Sequence, residues 1–238
     1  MPEVIDAVRE LMERPWDRAH VSWLDPSLLP PGWSGLARSE VSARLLARLW
    51  ATHLQLPVPD PFRLTGAAGR LSLLPACGLE PRVLERAADA LGRLSLASEA
   101  SFATQWLRLG RDRERLGTAA EWREAIQLAR ARPLRLPDGV LVDGGWGPAL
   151  ARSRGAAFMR LALDDGQGGL WPWLKFRFDR EILAPSEREP GRVDDDACSR
   201  IPEVVKRRVL DVWIGVALRF GIENQFKPAF GLAEACDG

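Results

Sequence analysis

Pro81-Arg82-Val83-Leu84-Glu85-Arg86-Ala87-Ala88-Asp89-Ala90-Leu91-Gly92-Arg93-Leu94 is the stretch that decides the fold class. Proline suits the first position of a helix, where its missing N–H would lack an intrahelical partner anyway. Leu84, Ala87, Leu91 and Leu94 then recur at spacings of three and four, the seam of a helix packed against others. A second helix begins after Ser98, with Phe102, Trp106 and Leu109 inward, and gives out in the charged run Arg111-Asp112-Arg113-Glu114-Arg115. Thr118 with Glu121 three residues on forms a capping box, in which two orphan N–H groups are satisfied reciprocally. It opens a helix that buries Trp122, Ile126 and Ala129.

Toward the N-terminus, Ser39 caps a helix to about His53 with Val41, Leu45, Leu46, Leu49 and Trp50 inward. Residues 14–35 hold four prolines, which forbid continuous helix, and Trp16, Trp23 and Trp33, which call for burial. This segment is an ordered wrap across the core or a docking segment. Val4, Val8, Leu11 and Met12 share one face of a short helix before it. Pro57, Pro59 and Pro61 end the helix at His53, and Leu71 to Pro75 reads as a short buried turn.

Toward the C-terminus, a helix from about Pro148 to Asp164 carries Leu150, Phe158 and Leu161, and Gly166 to Gly169 breaks it. Leu174, Phe176 and Phe178 alternate with Lys175 and Arg177, which predicts a half-buried strand, and Val140 to Val142 is the available partner. Residues 184–200 read as an acidic solvated loop. A last helix runs from Pro202 to Phe220 with Val205, Val209, Val212, Trp213, Val216 and Phe220 on one stripe, stopped by Gly221, and the tail after Asn224 is loosely held. The sum is a mainly α, single irregular helical domain over 1–238, of about seven helices with a small β-hairpin or two short strands.

Composition narrows the function classes. At 238 residues and 46% hydrophobic, the chain can bury roughly 70–75% of the surface its unfolded form exposes. The net charge of +1 balances 33 basic against 32 acidic side chains, so no overall field steers the chain to nucleic acid or an anionic membrane. Arginine supplies all the basic residues but Lys175, Lys206 and Lys227, a skew that says nothing about partners. The start Met1-Pro2-Glu3-Val4-Ile5-Asp6 carries acid where a secretory signal needs base. The longest apolar run, Val212 to Leu218, falls far short of the ~20 residues of a bilayer span, so a cytoplasmic location is expected without membrane insertion. Cys77, Cys198 and Cys236 lie far apart without Cys-x-x-Cys spacing, which fits a reducing compartment and no zinc site.

Catalytic signatures are absent. No lysine follows a glycine, so there is no phosphate-cradling Gly-Lys motif, and Gly166, Gly168 and Gly169 lack the third position of a dinucleotide fingerprint. Neither Gly-x-Ser-x-Gly nor His-Glu-x-x-His occurs, and a histidine base could only be His20 or His53. Asp194, Asp195 and Asp196 could hold magnesium in a metal-dependent enzyme, dock to a basic partner, or simply keep a loop solvated. Lys206-Arg207-Arg208 could touch phosphates of a nucleic acid, but Glu203 and Asp211 stand four residues either side of Arg207 and can pair with the same charges. No cofactor is implied, and no nucleic-acid partner is favoured. Ten tryptophans beside no tyrosine stand out, because indole combines large contact area with few rotors. Trp50, Trp106, Trp122 and Trp213 fall on inward faces; Trp16, Trp23, Trp33, Trp171 and Trp173 are either core or partner contacts.

The order of landmarks resembles the SctK family, accessory proteins of the cytosolic sorting platform of bacterial type III secretion systems. The landmarks are His20 to Trp33 with Leu29-Pro30, Arg70 to Pro75, the leucine-rich helix to Leu96, Arg132-Pro133-Leu134, the helix from Gly155 to Leu163, Leu174 to Phe178 and a closing amphipathic helix. They span roughly residues 14–220 and carry no chemical signature; the loop at 184–200 and the tail after Asn224 exceed the pattern. The resemblance implies a non-enzymatic adaptor that joins the cytoplasmic domain of the inner-membrane ring protein, of SctD type, to the pod protein SctQ. It would thereby help position the export ATPase and its stator, with no catalytic residue to carry over.

Overall fold

The computed structural model describes residues 11, 13, 19–23, 40–54, 56, 76–99, 102, 104, 117–137, 148–163, 170–183 and 201–230. In chain order the helices of these residues are α1 (Glu40–His53), α2 (Pro81–Ala97), α3 (Ala119–Ala131), α4 (Pro148–Leu163), α5 (Trp171–Leu174) and α6 (Glu203–Phe230). Among the described residues there is no strand, and these residues are mainly helical.

Helix α2 starts where its proline puts it, with Glu80 extended before it and Pro81 in the first turn. Leu84, Ala87, Leu91 and Leu94 are buried as their spacing requires, but so are Val83, Ala88, Gly92 and Leu96. One stripe is not enough because α3, α4 and α6 all contact α2, which makes it the central element. Ser98 closes α2 and fastens it to the chain beyond α3: its hydroxyl donates to the Leu94 carbonyl at 2.7 Å and accepts from the Leu134 N–H at 2.9 Å. The capping box of α3 forms as read, with Glu121 accepting from the Thr118 N–H at 2.7 Å and Thr118 Oγ1 from the Glu121 N–H at 3.3 Å. Gly117 precedes it at φ +132°, a conformation in which a Cβ is strained.

The closest crossing is between α2 and α4. Ala88 and Gly92 lie four apart on α2, Ala151 and Gly155 four apart on α4. A Cβ on Gly92 would stand 2.8 Å from Ala151 Cα and nearer still to its carbonyl, while one on Gly155 would stand 2.6 Å from Ala88 Cα. Backbone meets backbone here, and only a hydrogen fits. Beside the crossing, Arg152 donates from Nε and Nη2 to the two oxygens of Asp89, each at 3.0 Å, and Arg154 pairs with Glu99. The Asp89 bond outweighs burial and holds the Arg152 guanidinium above its usual pKa.

The main core gathers α2, α4, α5 and α6. Trp213 is fully buried and donates to the Gly78 carbonyl at 2.9 Å. Phe102 stacks on Trp122 with ring centroids 5.3 Å apart in a smaller cluster with Leu96, Ala125 and Leu150. Leu11 is buried in the main core, whereas Val4, Val8, Met12, Trp106 and the loop at 184–200 lie outside the described residues.

Three expectations are corrected. Leu174 to Arg177 is helical, α5 followed by a 3₁₀ turn over Lys175–Arg177 with Phe178 extended after it, because the period-two signal needs its charged positions in water. Lys175 and Arg177 are instead only 6% and 3% exposed, and Pro172 favours a helical turn. The partner strand, Val140 to Val142, lies outside the described residues. In α1, Leu45 and Leu49 face outward, 53% and 44% exposed, because Ala47, Ala51 and Leu54 form an equally regular stripe on the opposite face and that is the one that packs. Gly221 does not stop α6, since helix continues to Phe230. A helix-ending glycine adopts positive φ, which among the described residues only Gly117 does.

Candidate docking groove

Helices α3 and α6 both lie on α2, and between them is a groove of about 760 Å³ with α2 as its floor. Ala90 and Leu94 rise from the floor, Ala125 and Leu128 line one wall, and Val212 and Val216 the other. Charged side chains tie the walls. Toward the start of α6, Arg208 donates from Nη1 to the Pro133 carbonyl at 2.9 Å and from Nη2 to the Leu128 carbonyl at 3.3 Å, covering the carbonyl end of α3. About three turns further along α6, Arg219 donates to both oxygens of Glu124 at 2.8 and 3.3 Å. Between floor and wall, Arg93 donates to Glu121 at 3.0 Å.

Five arginines and four carboxylates line the groove. Three of the carboxylates are committed: Glu121 to Arg93, Glu124 to Arg219, and Asp89 to Arg152 on the far side of α2. Arg86, Arg132, Arg208 and Asp211 complete the charged lining. Arg86 sits over the Phe220 ring at 5.2 Å. Burial first, and the nearby Arg132 charge second, hold the Arg208 guanidinium below its usual pKa. On the acidic wall, the Arg219 hydrogen bond holds Glu124 below the usual carboxylate value.

Of the residues singled out from the sequence, Trp23, Trp171 and Trp173 are 1%, 5% and 4% exposed, so of the two readings open to them the structure shows the core one. Trp23 is the clasp of the wrap that residues 19–23 form: its indole N–H donates to the Phe178 carbonyl at 2.9 Å, its ring meets Phe176 edge-on at 4.8 Å, and the His20 N–H donates to the Phe176 carbonyl at 2.8 Å. Trp171 and Trp173 join the same core from α5. Trp16, Trp33, Asp194, Asp195 and Asp196 lie outside the described residues. His20 Nδ1 shares a 2.9 Å bond with Ser22 Oγ and stands 4.0 Å from Asp179, and no histidine lines the groove. Among the described residues no group of three or more His, Cys, Asp and Glu could hold a metal ion, and no helix is long and apolar enough to cross a membrane.

The sequence reading missed the groove because it placed Val212 and Val216 on the buried stripe of α6. They are half-buried at the groove's edge, while Val209, Trp213, Ala217 and Phe220 make the packed stripe. An apolar stripe wider than one contact needs was the available signal. The chain matches no protein-family model, no curated protein sequence and no solved structure.

Proposed function

We propose that the chain is a non-enzymatic adaptor that binds other proteins, with the groove between α3 and α6 as a docking surface. The observation that carries this is the groove's lining. Nine of seventeen residues are charged, of both signs, over a floor of small apolar side chains. Small-molecule pockets are predominantly apolar with few polar groups, whereas mixed charge around an apolar centre suits a protein partner.

The order of apolar and proline landmarks supports placing this adaptor with the SctK family, in the sorting platform of a type III secretion system. In that role it links the cytoplasmic domain of an SctD-type ring protein to an SctQ-type pod protein and, through the pod, to the stator and the export ATPase. It would then sit at the cytoplasmic face of the inner membrane through the complex. The test is a pull-down of purified full-length chain with the pod protein and with the ring protein's cytoplasmic domain, together with deletion of the gene. Binding to either and loss of secretion are expected. Secretion at the wild-type level after deletion, with neither partner bound, would refute the assignment.

A further inference from the structure

We infer that His20 makes the clasp of residues 19–23 a latch that acid opens, closed while the imidazole is neutral and released when the ring takes a second proton. This goes beyond the adaptor reading and does not depend on it.

The hydrogen bonds around the ring fix its charge. Arg180 N–H donates to Ser22 Oγ at 2.9 Å, and the hydroxyl's own hydrogen has His20 Nδ1, 2.9 Å away, as its partner among the described residues. The Ser22 N–H donates to the same Nδ1 at 3.3 Å. A nitrogen that accepts from two donors carries no hydrogen, so the imidazole is neutral with its proton on Nε2. A hydrogen arriving on Nδ1 would face the Ser22 N–H, strip it of its acceptor and force the hydroxyl to turn. That exchange falls in the middle of the clasp, between the His20 N–H on the Phe176 carbonyl at 2.8 Å and the Trp23 indole on the Phe178 carbonyl at 2.9 Å. Release of both would bare the face of Phe176 that Trp23 covers.

Charge nearby decides whether the proton can stay with the latch closed. Asp179 is the carboxylate facing the ring, with Oδ1 4.0 Å from Nδ1. It favours an imidazolium, but it stands beyond hydrogen-bond reach, accepts from the Glu181 N–H at 3.0 Å and lies in the field of Arg152 on α4. It is also partly exposed, where water weakens the attraction. Against it, Lys175 Nζ at 5.9 Å and Arg180 Cζ at 5.6 Å flank the Trp23 ring, two cations in the same clasp. The lost acceptor and the like charges therefore outweigh one carboxylate. The His20 side chain is 31% exposed, so a proton reaches it, and histidine changes its charge between pH 5 and 8. The clasp's stability is thus present in full at neutral pH and falls with the pH.

The experiment follows hydrogen exchange by NMR on the full-length chain at pH 7.5 and 5.5, read as protection factors so that the intrinsic pH dependence divides out. A free imidazole titrates at about 6.5, so a latch that takes its proton only when open is opened about tenfold more at the lower pH. Protection of the His20 N–H and of the Trp23 indole N–H should fall about tenfold. That of the Trp213 indole N–H, which donates to the Gly78 carbonyl, should hold. His20→Asn sets a carbonyl oxygen that does not titrate near the place of Nδ1 and should keep the clasp closed at both pH values. Wild-type protection that stays level or rises on acidification would overturn the inference, as would an equal fall at Trp213. So would an acid response undiminished in His20→Asn, or a His20→Asn clasp already open at pH 7.5, since an acceptor at that place would then not be what holds it.

Discussion

Gly92→Ala is expected to destabilise the protein by about 3 kcal/mol, although alanine is the better helix former. Propensity alone would favour the variant by about 1 kcal/mol. Against that, the new methyl would stand 2.8 Å from Ala151 Cα and nearer to its carbonyl, and backbone cannot step aside as a flexible side chain can. Carbon pairs settle at about 3.5–4.0 Å, so α2 and α4 must separate by on the order of 1 Å along their most extensive contact, which forfeits a quarter to a half of each contact's attraction. Overpacking of this kind costs about 1–3 kcal/mol before the lost contacts are added, which brings the gross penalty to about 4 kcal/mol. Gly155→Ala should behave alike, because its methyl meets Ala88 in the same crossing. The double variant should lose less than the sum, since helices already parted admit the second methyl more cheaply. Gly215→Ala is the internal control, with nothing within 4 Å among the described residues, and should gain about 1 kcal/mol. Urea unfolding followed by far-UV circular dichroism measures all four variants. A Gly92→Ala midpoint at or above wild type, moving with Gly215→Ala, would refute the crossing.

Three further outcomes follow from the fold. Trp23→Ala should cost about 3–5 kcal/mol, with the same unfolding measurement deciding, because the indole is buried and clasps Phe176 and Phe178. Ser98→Ala should cost about 1–3 kcal/mol, since it strips the buried Leu134 N–H of its acceptor; amide exchange at Leu134 should quicken well beyond that of its neighbours. Burial works to raise the Glu121 pKa, but the Thr118 N–H, the Arg93 charge and the Thr118 hydroxyl outweigh it and hold the carboxyl below its ordinary value. A depressed folded pKa means a contribution present in full above the unfolded-state value, about 4.3, and lost as pH falls through the folded one. Glu121→Gln should therefore be less stable than wild type near neutral pH, and the gap should close as pH drops below about 4; a gap that stays constant to acid pH would contradict the capping geometry.

Local signals fixed what local physics controls. Pro81, the seam through Leu94, the Thr118 and Glu121 box and the helix carrying Phe158 were all legible, because capping and helical periodicity act within a few residues. The failures share one cause, partners distant in sequence. Lys175 looked solvated only because nothing nearby foretold that Trp23 would lie against it. Ammonium over indole makes its burial tolerable: Lys175 Nζ sits 5.9 Å from the Trp23 ring and 5.7 Å from Phe176. The α2 and α4 crossing was written twice, as Ala88-x-x-x-Gly92 and Ala151-x-x-x-Gly155, but small residues announce close approach only once it is known which helices meet. The groove was illegible for the same reason, being the space that two helices leave over a third.

The burial of the tryptophans changes how a binding defect in this chain must be interpreted. Trp23, Trp171 and Trp173 stand in irregular segments, where short turns offer few side chains to a core and one large ring does the work of several small ones. They seal residues 19–23 and 170–183 onto helices rich in alanine, so truncating any of them opens a void and weakens the whole fold. Lost partner binding in such a variant would report unfolding and say nothing about contact. Gly215 and Arg132 are different, since a Cβ on one meets none of the described residues within 4 Å and the other lies exposed at the end of α3. Substitutions there can change what the groove accepts without moving the unfolding midpoint downward, and that separation of binding from stability identifies a docking surface.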